Sequence, residues 1–367
     1  MDEPLVTRSA ETCRWDCLAL GEVMLRFDPG ATRVRTARTF QVWEGGGEYN
    51  VARALRKVFG LRAAVVTALP RNELGRLAED LILQGGVDVS QVIWRDYDGV
   101  GRSTRMGLNF TERGFGVRPA LGVSDRGHSA ASQIRPGEVD WDVVFAAAGV
   151  RWFHTGGVFA TLSPETGAAT LEAVQAARRH GAIVSYDLNY RASLWEALGD
   201  RAETQRLNRE IAAHVDVIFG DAHGFAACLG YDAPGVDHGR DALDPANLEA
   251  LGRACARDFP NLRVLAATLR ATVSAGRNDW SAALWTNGQL HQAPVRRDLE
   301  IFDRVGGGDA FASGVAYAFL QDLGPQAAVD YGAAHGALAM TTPGDASMAD
   351  LSDVEALVAG RSPRAIR

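Results

Sequence analysis

The chain has 367 residues, a length that allows one large domain or two modest ones. Its formal net charge is −7, and it has no long block of like charges. These features argue against a nucleic-acid groove or an anionic membrane surface as partner, because each requires a basic face. Lys57 is the only lysine, so contacts to a phosphate or carboxylate are expected from arginine, whose planar fork suits such groups.

The amino terminus and the cysteines indicate the cellular setting. Met1 to Ala10 carries acids and lacks an apolar core, which is not typical of a signal peptide. No run of about 18 apolar residues exists, so no membrane-spanning segment is expected. The four cysteines and the histidines show no zinc-site spacing. We therefore predict free thiols, no protein metal site and a cytoplasmic location.

Residues 1–14 are predicted to form a disordered tail, and strands alternate with helices from Trp15 onward. Predicted strands, each a short apolar run, are 16–27, 62–69, 151–156, 182–188, 216–220 and 263–269. Predicted helices, several with cap residues such as Asn72, are 48–60, 72–86, 165–180, 203–213, 246–258, 309–321, 325–341 and 350–359. This alternation is typical of an α/β fold with a mainly parallel sheet covered by helices on both faces.

Two stretches depart from that pattern. Residues 31–43 and 95–127 alternate polar and apolar positions and contain turn residues, which favours antiparallel strands with one wet face. We predict that they form a small β-sheet lid, although two unrelated surface excursions would give the same pattern. The predicted core is then 15–30, 44–94 and 128–360, with a tail at 361–367.

The most informative segment is DRVGGGDAFASG, residues 303–314, in which three glycines precede an acid and an apolar helix. Gly306, Gly307 and Gly308 can present successive N–H groups at the positive end of that helix, which makes an anion site. Asp309 would lie within reach of both the anion and an incoming hydroxyl, as phosphoryl transfer requires. The alternative is a glycine turn capped by an aspartate. Neither a GxxxxGK[ST] nor a GxGxxG motif is present.

DRVGGGDAFASG resembles the carboxyl-terminal motif of the ribokinase, or PfkB, family of sugar kinases. EGGGEYNVARALRKVFG, residues 44–60, resembles the amino-terminal glycine motif of that family. Other segments, among them GEVMLRFDP, VSYDLNYRASLW and TLRATVSAGRNDW, are similar to the 2-keto-3-deoxygluconate kinase subgroup in its order. The resemblance covers roughly residues 16–345. It implies a ribokinase-like fold and the use of ATP and Mg²⁺.

The resemblance also implies roles for individual residues. It makes Asp309 the catalytic base and Gly306, Gly307 and Gly308 the anion hole. On the substrate side it places Gly45, Gly46, Asn50, Asn109, Arg126 and Arg191. On the ATP side it places Asp221, Thr268, Arg270 and Asp345. Surface ion pairing remains an alternative for both arginines of the substrate side, and an ordinary strand end for Thr268 and Arg270.

This sequence departs from the family pattern in two places. Asn109 and Ser124 stand where the subgroup often has lid tyrosines. An N-x-x-E-like stretch that helps organise magnesium is here Asp221-Ala222-His223-Gly224, with glycine at the Glu position. Magnesium would then be held through water and ATP phosphates, in keeping with its reluctance to shed water, or bound more weakly.

The function implied is ATP-dependent phosphorylation of 2-keto-3-deoxygluconate at its 6-hydroxyl. Two arginines facing one pocket suit a carboxylate better than a neutral sugar. The alternatives are a kinase for fructose, ribose or a nucleoside, a weakly catalytic binding or regulatory protein of the same fold, and a nicotinamide oxidoreductase. The edges of a projecting sheet often pair with a second copy, so a homo-oligomer, a dimer in the simplest case, is expected.

Overall fold

The computed structural model describes residues 5–231 and 245–361. Its strands are β1 (Trp15–Leu20), β2 (Met24–Asp28), β3 (Gln41–Gly45), β4 (Ala63–Pro70), β5 (Val92–Arg95), β6 (Leu108–Glu112), β7 (Leu121–Asp125), β8 (Val150–Gly156), β9 (Ile183–Asp187), β10 (Val217–Phe219), β11 (Val264–Ser274), β12 (Arg277–Thr286), β13 (Gln289–Gln292) and β14 (Arg296–Glu300). Its helices are α1 (Gly47–Lys57), α2 (Glu73–Gln84), α3 (Gly157–Ala160), α4 (Pro164–Arg179), α5 (Ala192–Leu198), α6 (Arg201–Ala212), α7 (Ala222–Leu229), α8 (Pro245–Asp258), α9 (Gly307–Leu320), α10 (Pro325–Ala339) and α11 (Leu351–Val358).

A ten-stranded sheet forms the centre of the molecule, in the order β13-β12-β11-β10-β9-β8-β1-β4-β5, with β14 on β12. The strands from β11 to β5 pair in parallel, and β1, β4 and β8 are buried along their whole length. This confirms the predicted α/β fold, because continuous apolar runs suit strands covered on both faces.

Successive residues of β1 enter two different hydrophobic cores, since side chains alternate across a strand. Leu18 and Leu20 pack into the core that α4, α6 and α8 cover. Cys17 and Ala19 pack into the core that α1, α9 and α10 cover. Helices therefore lie on both faces of the sheet, and the helix that follows the GGGD segment is one of them.

A separate four-stranded sheet has the order β3-β2-β6-β7. Its central strand, β2, corrects the prediction of one continuous strand over 16–27, because the chain bends at Gly21 and residues 24–28 leave the main sheet. The bend was invisible in the sequence because apolar residues flank it on both sides. The β2–β6 pairing is parallel, whereas the expected lid was antiparallel throughout. Phe27, Phe40 and Phe110 pack together on this sheet.

The strand predicted at 263–269 extends to Ser274 and returns as β12 in an antiparallel hairpin. Neither that return nor β13 and β14 was predicted. Their residues mix polar and apolar types without the continuous apolar run that marked the parallel strands. The short helices α5 and α7 were also missed.

The amino-terminal segment is the other correction. Within the predicted disordered tail, residues 8–14 lie against the core: the Arg14 amide donates to the Ala148 carbonyl at 2.8 Å, and Cys13 is buried. The Arg62 guanidinium donates to the Cys13 carbonyl at 2.8 Å, so a backbone carbonyl that the prediction placed in solvent has a hydrogen-bond partner within the protein. Residues 1–4 and 362–367 lie outside the described part of the chain.

All four cysteines are buried and unbridged, as predicted. Across residues 5–231 and 245–361, no helix is both long and apolar enough to cross a membrane.

Candidate active site

Helix α9 begins at the GGGD segment with a turn that only glycine can make. Gly306 is the residue before the helix, and its φ of 81° lies in the left-handed region. A side chain there would also place Cβ 1.9 Å from the Asp345 carbonyl oxygen. The backbone of residues 306–308 is therefore packed tightly on its inner side.

The outer side of the same turn is open. No side chain caps the amino terminus of α9, and a Cβ built on Gly308 would meet nothing within 4 Å. The first N–H groups of a helix have no intrahelical acceptor and carry the positive end of its dipole. The turn thus offers donors to an anion and leaves room for it to approach.

Asn50 of α1 holds the carboxylate that follows these glycines. Its Nδ2 donates to Oδ2 of Asp309 at 2.7 Å, although the two residues are 259 positions apart. A Cβ on Gly47 would lie 3.6 Å from Oδ1 of Asp309 and 3.4 Å from Nδ2 of Asn189. The structure therefore brings the two glycine motifs together around Asp309.

Three acids in this region have raised pKa values. Burial raises the pKa of Asp309 to about 6, against the opposing effect of the Asn50 hydrogen bond and of the Arg191 charge. Burial, with the neighbouring Asp309 carboxylate, raises the pKa of Asp187 to about 8. Burial likewise raises the pKa of Glu48 to about 7. Asp309 is the most readily ionised of the three, which suits a base that works near neutral pH.

The two arginines predicted on the substrate side have different surroundings. Arg191 is exposed just before α5, and its charge lowers the pKa of both Asp309 and Asp187. Arg126 is instead paired with buried Glu22: its Nε and Nη2 lie 2.8 and 2.5 Å from Oε2 of Glu22. The Oε1 atom of Glu22 is buried without a hydrogen-bond partner.

The remaining substrate-side candidates lie where the small sheet meets the core. Gly45 ends β3, and a Cβ there would come within 2.2 Å of Oδ2 of Asp345. Gly46 precedes α1, and a Cβ there would be 2.0 Å from the Glu22 carbonyl oxygen. Asn109 lies on β6, where its Oδ1 accepts from the Ser124 hydroxyl at 3.3 Å.

The candidates predicted for the ATP side are spread over three elements. Thr268 and Arg270 lie on β11 beyond Ala266, the last residue that pairs with parallel β10. Asp221 caps α7 and accepts the Gly224 N–H at 2.8 Å. Asp345 is buried, and its Oδ1 accepts from Arg26 at 2.5 Å. The predicted roles of these four residues stay predictions.

A family model described as pfkB family carbohydrate kinase matches residues 16–351. The chain belongs to this family of carbohydrate kinases. It is thus a sugar kinase, a phosphotransferase acting on a hydroxyl, and kinases of the pfkB family use ATP.

Individual relatives of this pfkB-family chain agree in fold and length. The crystal structure of a 2-dehydro-3-deoxygluconokinase from Thermotoga maritima is 32% identical, with a TM-score of 0.85 over 94% of this chain and 99% of that one. A 2-dehydro-3-deoxygalactonokinase from Haloferax volcanii is 29% identical over 94% of this chain and 97% of its own length. A fructokinase from Xylella fastidiosa with bound ATP shares the fold at 22% identity and a TM-score of 0.70, over 94% of this chain and 98% of that one.

The side chains of the described residues do not form a complete metal site. Among the residues that the structure describes, no group of three or more His, Cys, Asp or Glu side chains is arranged to hold a metal ion. Gly224, at the position where relatives commonly carry an acid, instead gives its N–H to the Asp221 cap. In the described part of the chain, the side chains thus do not fit a magnesium ion held by the protein alone.

Two residues of the site were missed by sequence reasoning. Asp187 is the last residue of β9 and Asn189 follows it, at the carboxyl edge of the parallel sheet where Asp309 also lies. The signal was available, because ligand sites of open α/β sheets lie at that edge. A cavity of about 410 Å³, lined by Arg253, Arg257 and Trp285 among others, lies instead beside the amino end of β11, away from Asp309.

Proposed function

We propose that this kinase transfers the γ-phosphoryl group of ATP to the 6-hydroxyl of 2-keto-3-deoxygluconate. The observation that carries the proposal is the Asp309 carboxylate, which accepts a hydrogen bond from Asn50 and lies in the first turn of a helix that no side chain caps, next to Gly308, whose surroundings are open. Phosphoryl transfer needs this combination of anion donors and a base in line with the nucleophile.

Asp309 accepts the proton of the substrate hydroxyl. The oxygen of that hydroxyl bonds to the γ-phosphorus of ATP, and the bond between this phosphorus and the bridging oxygen of ADP breaks. The amides of Gly306, Gly307 and Gly308 stabilise the charge spread over the phosphoryl oxygens. With a pKa of about 6, Asp309 is mostly ionised at neutral pH and ready to accept the proton.

A sugar acid is favoured over a neutral sugar because Arg191 lies exposed beside Asp309 and Asp187. Its guanidinium would bind the substrate carboxylate and leave the far hydroxyl at Asp309. Arg126, Asn109, Gly45 and Gly46 would border the same substrate, with Arg126 acting as a pair with Glu22. A second candidate is 2-keto-3-deoxygalactonate, which differs in the configuration of one carbon, because the Haloferax volcanii relative carries that name.

ATP would enter from the side of Thr268 and Arg270, with its phosphates at the glycine turn. Magnesium would arrive with the ATP phosphates and keep water ligands, since the described side chains offer it no cage. No part of the proton transfer above depends on a protein-held metal.

The experiment is a coupled ADP-release assay over a panel of sugar acids and neutral sugars, with the wild type and Asp309→Asn. We expect sugar-dependent ADP release, fastest with a 2-keto-3-deoxy sugar acid and nearly lost in the variant. Absence of ADP release with every sugar would favour the weakly catalytic binding protein. Faster turnover of fructose, ribose or a nucleoside than of any acid would contradict the substrate assignment.

We also propose that two copies associate through the small sheet. β7 is one edge of that sheet, and Leu121 and Val123 are 44% and 48% exposed on it. An apolar edge strand of this kind tends to pair with another chain. Light scattering should give twice the mass of one chain, and Val123→Lys should reduce it; a monomeric wild type would contradict the proposal.

A further inference from the structure

A buried arginine connects the small sheet to the glycine turn. Arg26, on the central strand β2, is 0% exposed. Its Nη1 lies 2.5 Å from Oδ1 of Asp345, and its Nη2 lies 2.5 Å from Oδ2 of Asp303 and 3.5 Å from Asp28. The guanidinium thus holds two carboxylates from distant parts of the chain, one on each terminal nitrogen.

These two carboxylates flank the run Gly306–Gly308. Asp303 precedes it, and its Oδ1 accepts the Val305 N–H at 3.1 Å. Asp345 lies on the other side: its carbonyl oxygen would be 1.9 Å from a Cβ on Gly306. A shift of either acid would therefore move the backbone of the glycine turn, whose amides are proposed to bind the phosphoryl group.

Charge makes the arginine necessary in this place. Without it, Asp303 and Asp345 would be two buried carboxylates close together, directly behind a site that receives the phosphates of ATP. Burial opposes the charge of Arg26, yet the charges of Asp345 and Asp303 raise its pKa. The planar guanidinium of arginine can donate to two separate carboxylates at once, whereas the ammonium of lysine is a single point charge.

We propose that Arg26 is a positioning residue for phosphoryl transfer. Through its ion pairs with Asp303 and Asp345, it connects both sides of the glycine turn to the small sheet. This inference rests on the proposed function, because the amides it positions are those that hold the phosphoryl group. Arg26 itself touches no reacting atom, since it is fully buried behind the turn.

A structural ion network and a positioning network predict different results when Arg26 and its two close acids are neutralised together. In the triple variant Arg26→Met/Asp303→Asn/Asp345→Asn the two acids lose their charges together with the arginine, and Asp28 keeps its ion pair with Arg113 at 3.5 Å. Such replacements of buried ion pairs are often neutral for stability. We expect a thermal midpoint near that of the wild type and a kcat lower by roughly 10- to 100-fold, the scale of slightly misplaced catalytic groups. The KM for the sugar should change little. A kcat within twofold of the wild type would overturn the proposal.

Rescue provides an independent readout. Arg26→Ala leaves space for a guanidinium ion between the two acids, so low-millimolar guanidinium chloride should restore part of kcat. Sodium chloride at equal ionic strength should not. Arg26→Lys keeps the charge without the fork and should remain impaired. Equal activation by both salts, or full activity of Arg26→Lys, would contradict the proposed geometry.

A matched control lies elsewhere in the chain. Arg151 is buried and donates to Asp16 at 3.1 Å and to the carbonyl of Leu320 at 2.8 Å, at the opposite end of α9 from the glycine turn. Arg151→Met/Asp16→Asn also removes the Asp16 carboxylate that pairs with Arg62 at 2.8 Å, so it should lower stability, without selective loss of kcat. The fate of the proposed function is separate: loss of activity in Asp309→Asn combined with an unaffected triple variant would reject only the role of Arg26.

Discussion

The two glycine triplets of the chain have the same local pattern and opposite surroundings. Gly45–Gly47 and Gly306–Gly308 each precede an acid in the first turn of a helix. Glu48 lies inside the protein, where Cβ atoms on Gly21 and Gly156 would come within 2.4 and 2.8 Å of its carboxylate oxygens. Asp309 is partly exposed beside Gly308, whose surroundings are open.

The neighbouring side chains of Asp309 and Glu48 also differ. Asp309 receives a hydrogen bond from Asn50 and feels the charge of Arg191. Glu48 feels the charge of Arg126, which is already paired with Glu22. A glycine triplet with an acid therefore does not by itself make a catalytic turn. We expect that exposure of the acid and a cationic neighbour without an acid partner decide which triplet can serve a reaction.

The largest test of this comparison is to neutralise each acid. Asp309→Asn removes the proposed base, and kcat should fall by roughly two to four orders of magnitude. Glu48→Gln is the matched variant in the other triplet and should lose less than about tenfold in kcat, because its carboxyl is buried. Single-turnover measurements of phosphoryl transfer would check both. Similar losses of kcat in the two variants would contradict the proposed difference between Asp309 and Glu48.

The second test compares the two arginines. Arg191→Ala should lower kcat/KM for a 2-keto-3-deoxy sugar acid by about 10- to 100-fold, the worth of a charge-assisted hydrogen bond. The loss for a neutral sugar should be severalfold smaller. Arg126→Ala leaves Glu22 buried without its partner, so it should reduce the thermal midpoint more than Arg191→Ala does. An equal loss on acid and neutral sugars in Arg191→Ala would reject the carboxylate contact.

The third test uses the open surroundings of Gly308 in the triplet Gly306–Gly308. Gly308→Ala adds a methyl group where the phosphate is proposed to lie, so KM for ATP should rise on the order of tenfold, or about 1.4 kcal/mol. Its unfolding free energy should change by less than about 1 kcal/mol, because the methyl meets no protein atom. Gly306→Ala is the contrasting variant: the φ of 81° and the Asp345 carbonyl should make it strongly destabilised. Urea titrations and ATP saturation curves would separate the two effects.

The smallest effect near neutral pH is expected from protonation of Asp309. The pKa of Asp309 is raised to about 6, and only the ionised form can accept a proton. Therefore kcat/KM for the sugar should be level above pH 7 and fall by about tenfold per unit below pH 6. A profile that stays flat down to pH 4.5 would contradict Asp309 as the base. In Asp309→Asn the residual rate should lose this dependence.

Much of the fold could be predicted because its central strands are continuous apolar runs separated by capped amphipathic helices. The Asn72 cap and the strands at 151–156 and 182–188 follow from local rules alone. The bend at Gly21 and the return of β11 into β12 could not be predicted in this way. Both depend on which neighbouring strand is available, and β2 finds its partners in β3 and β6.

For the site, the motifs identified Asp309 and the glycine turn, and the fold supplied the contact with Asn50. Sequence reasoning treated Arg126 and Arg191 as equivalent, whereas the structure pairs only Arg126 with a buried acid. It also did not foresee the Arg26 network, since its members are up to 319 positions apart. Ion pairs of this kind leave no local pattern.

The sequence by itself determined the α/β alternation, the glycine-rich helix start and the acid that follows it, because these depend on residues within a few positions of one another. Only the tertiary structure decided which acid is partly exposed, which arginine has no acid partner among the residues that the structure describes, and what holds the glycine turn. Those outcomes depend on burial and charge among residues far apart in the chain, and no short-range rule contains them.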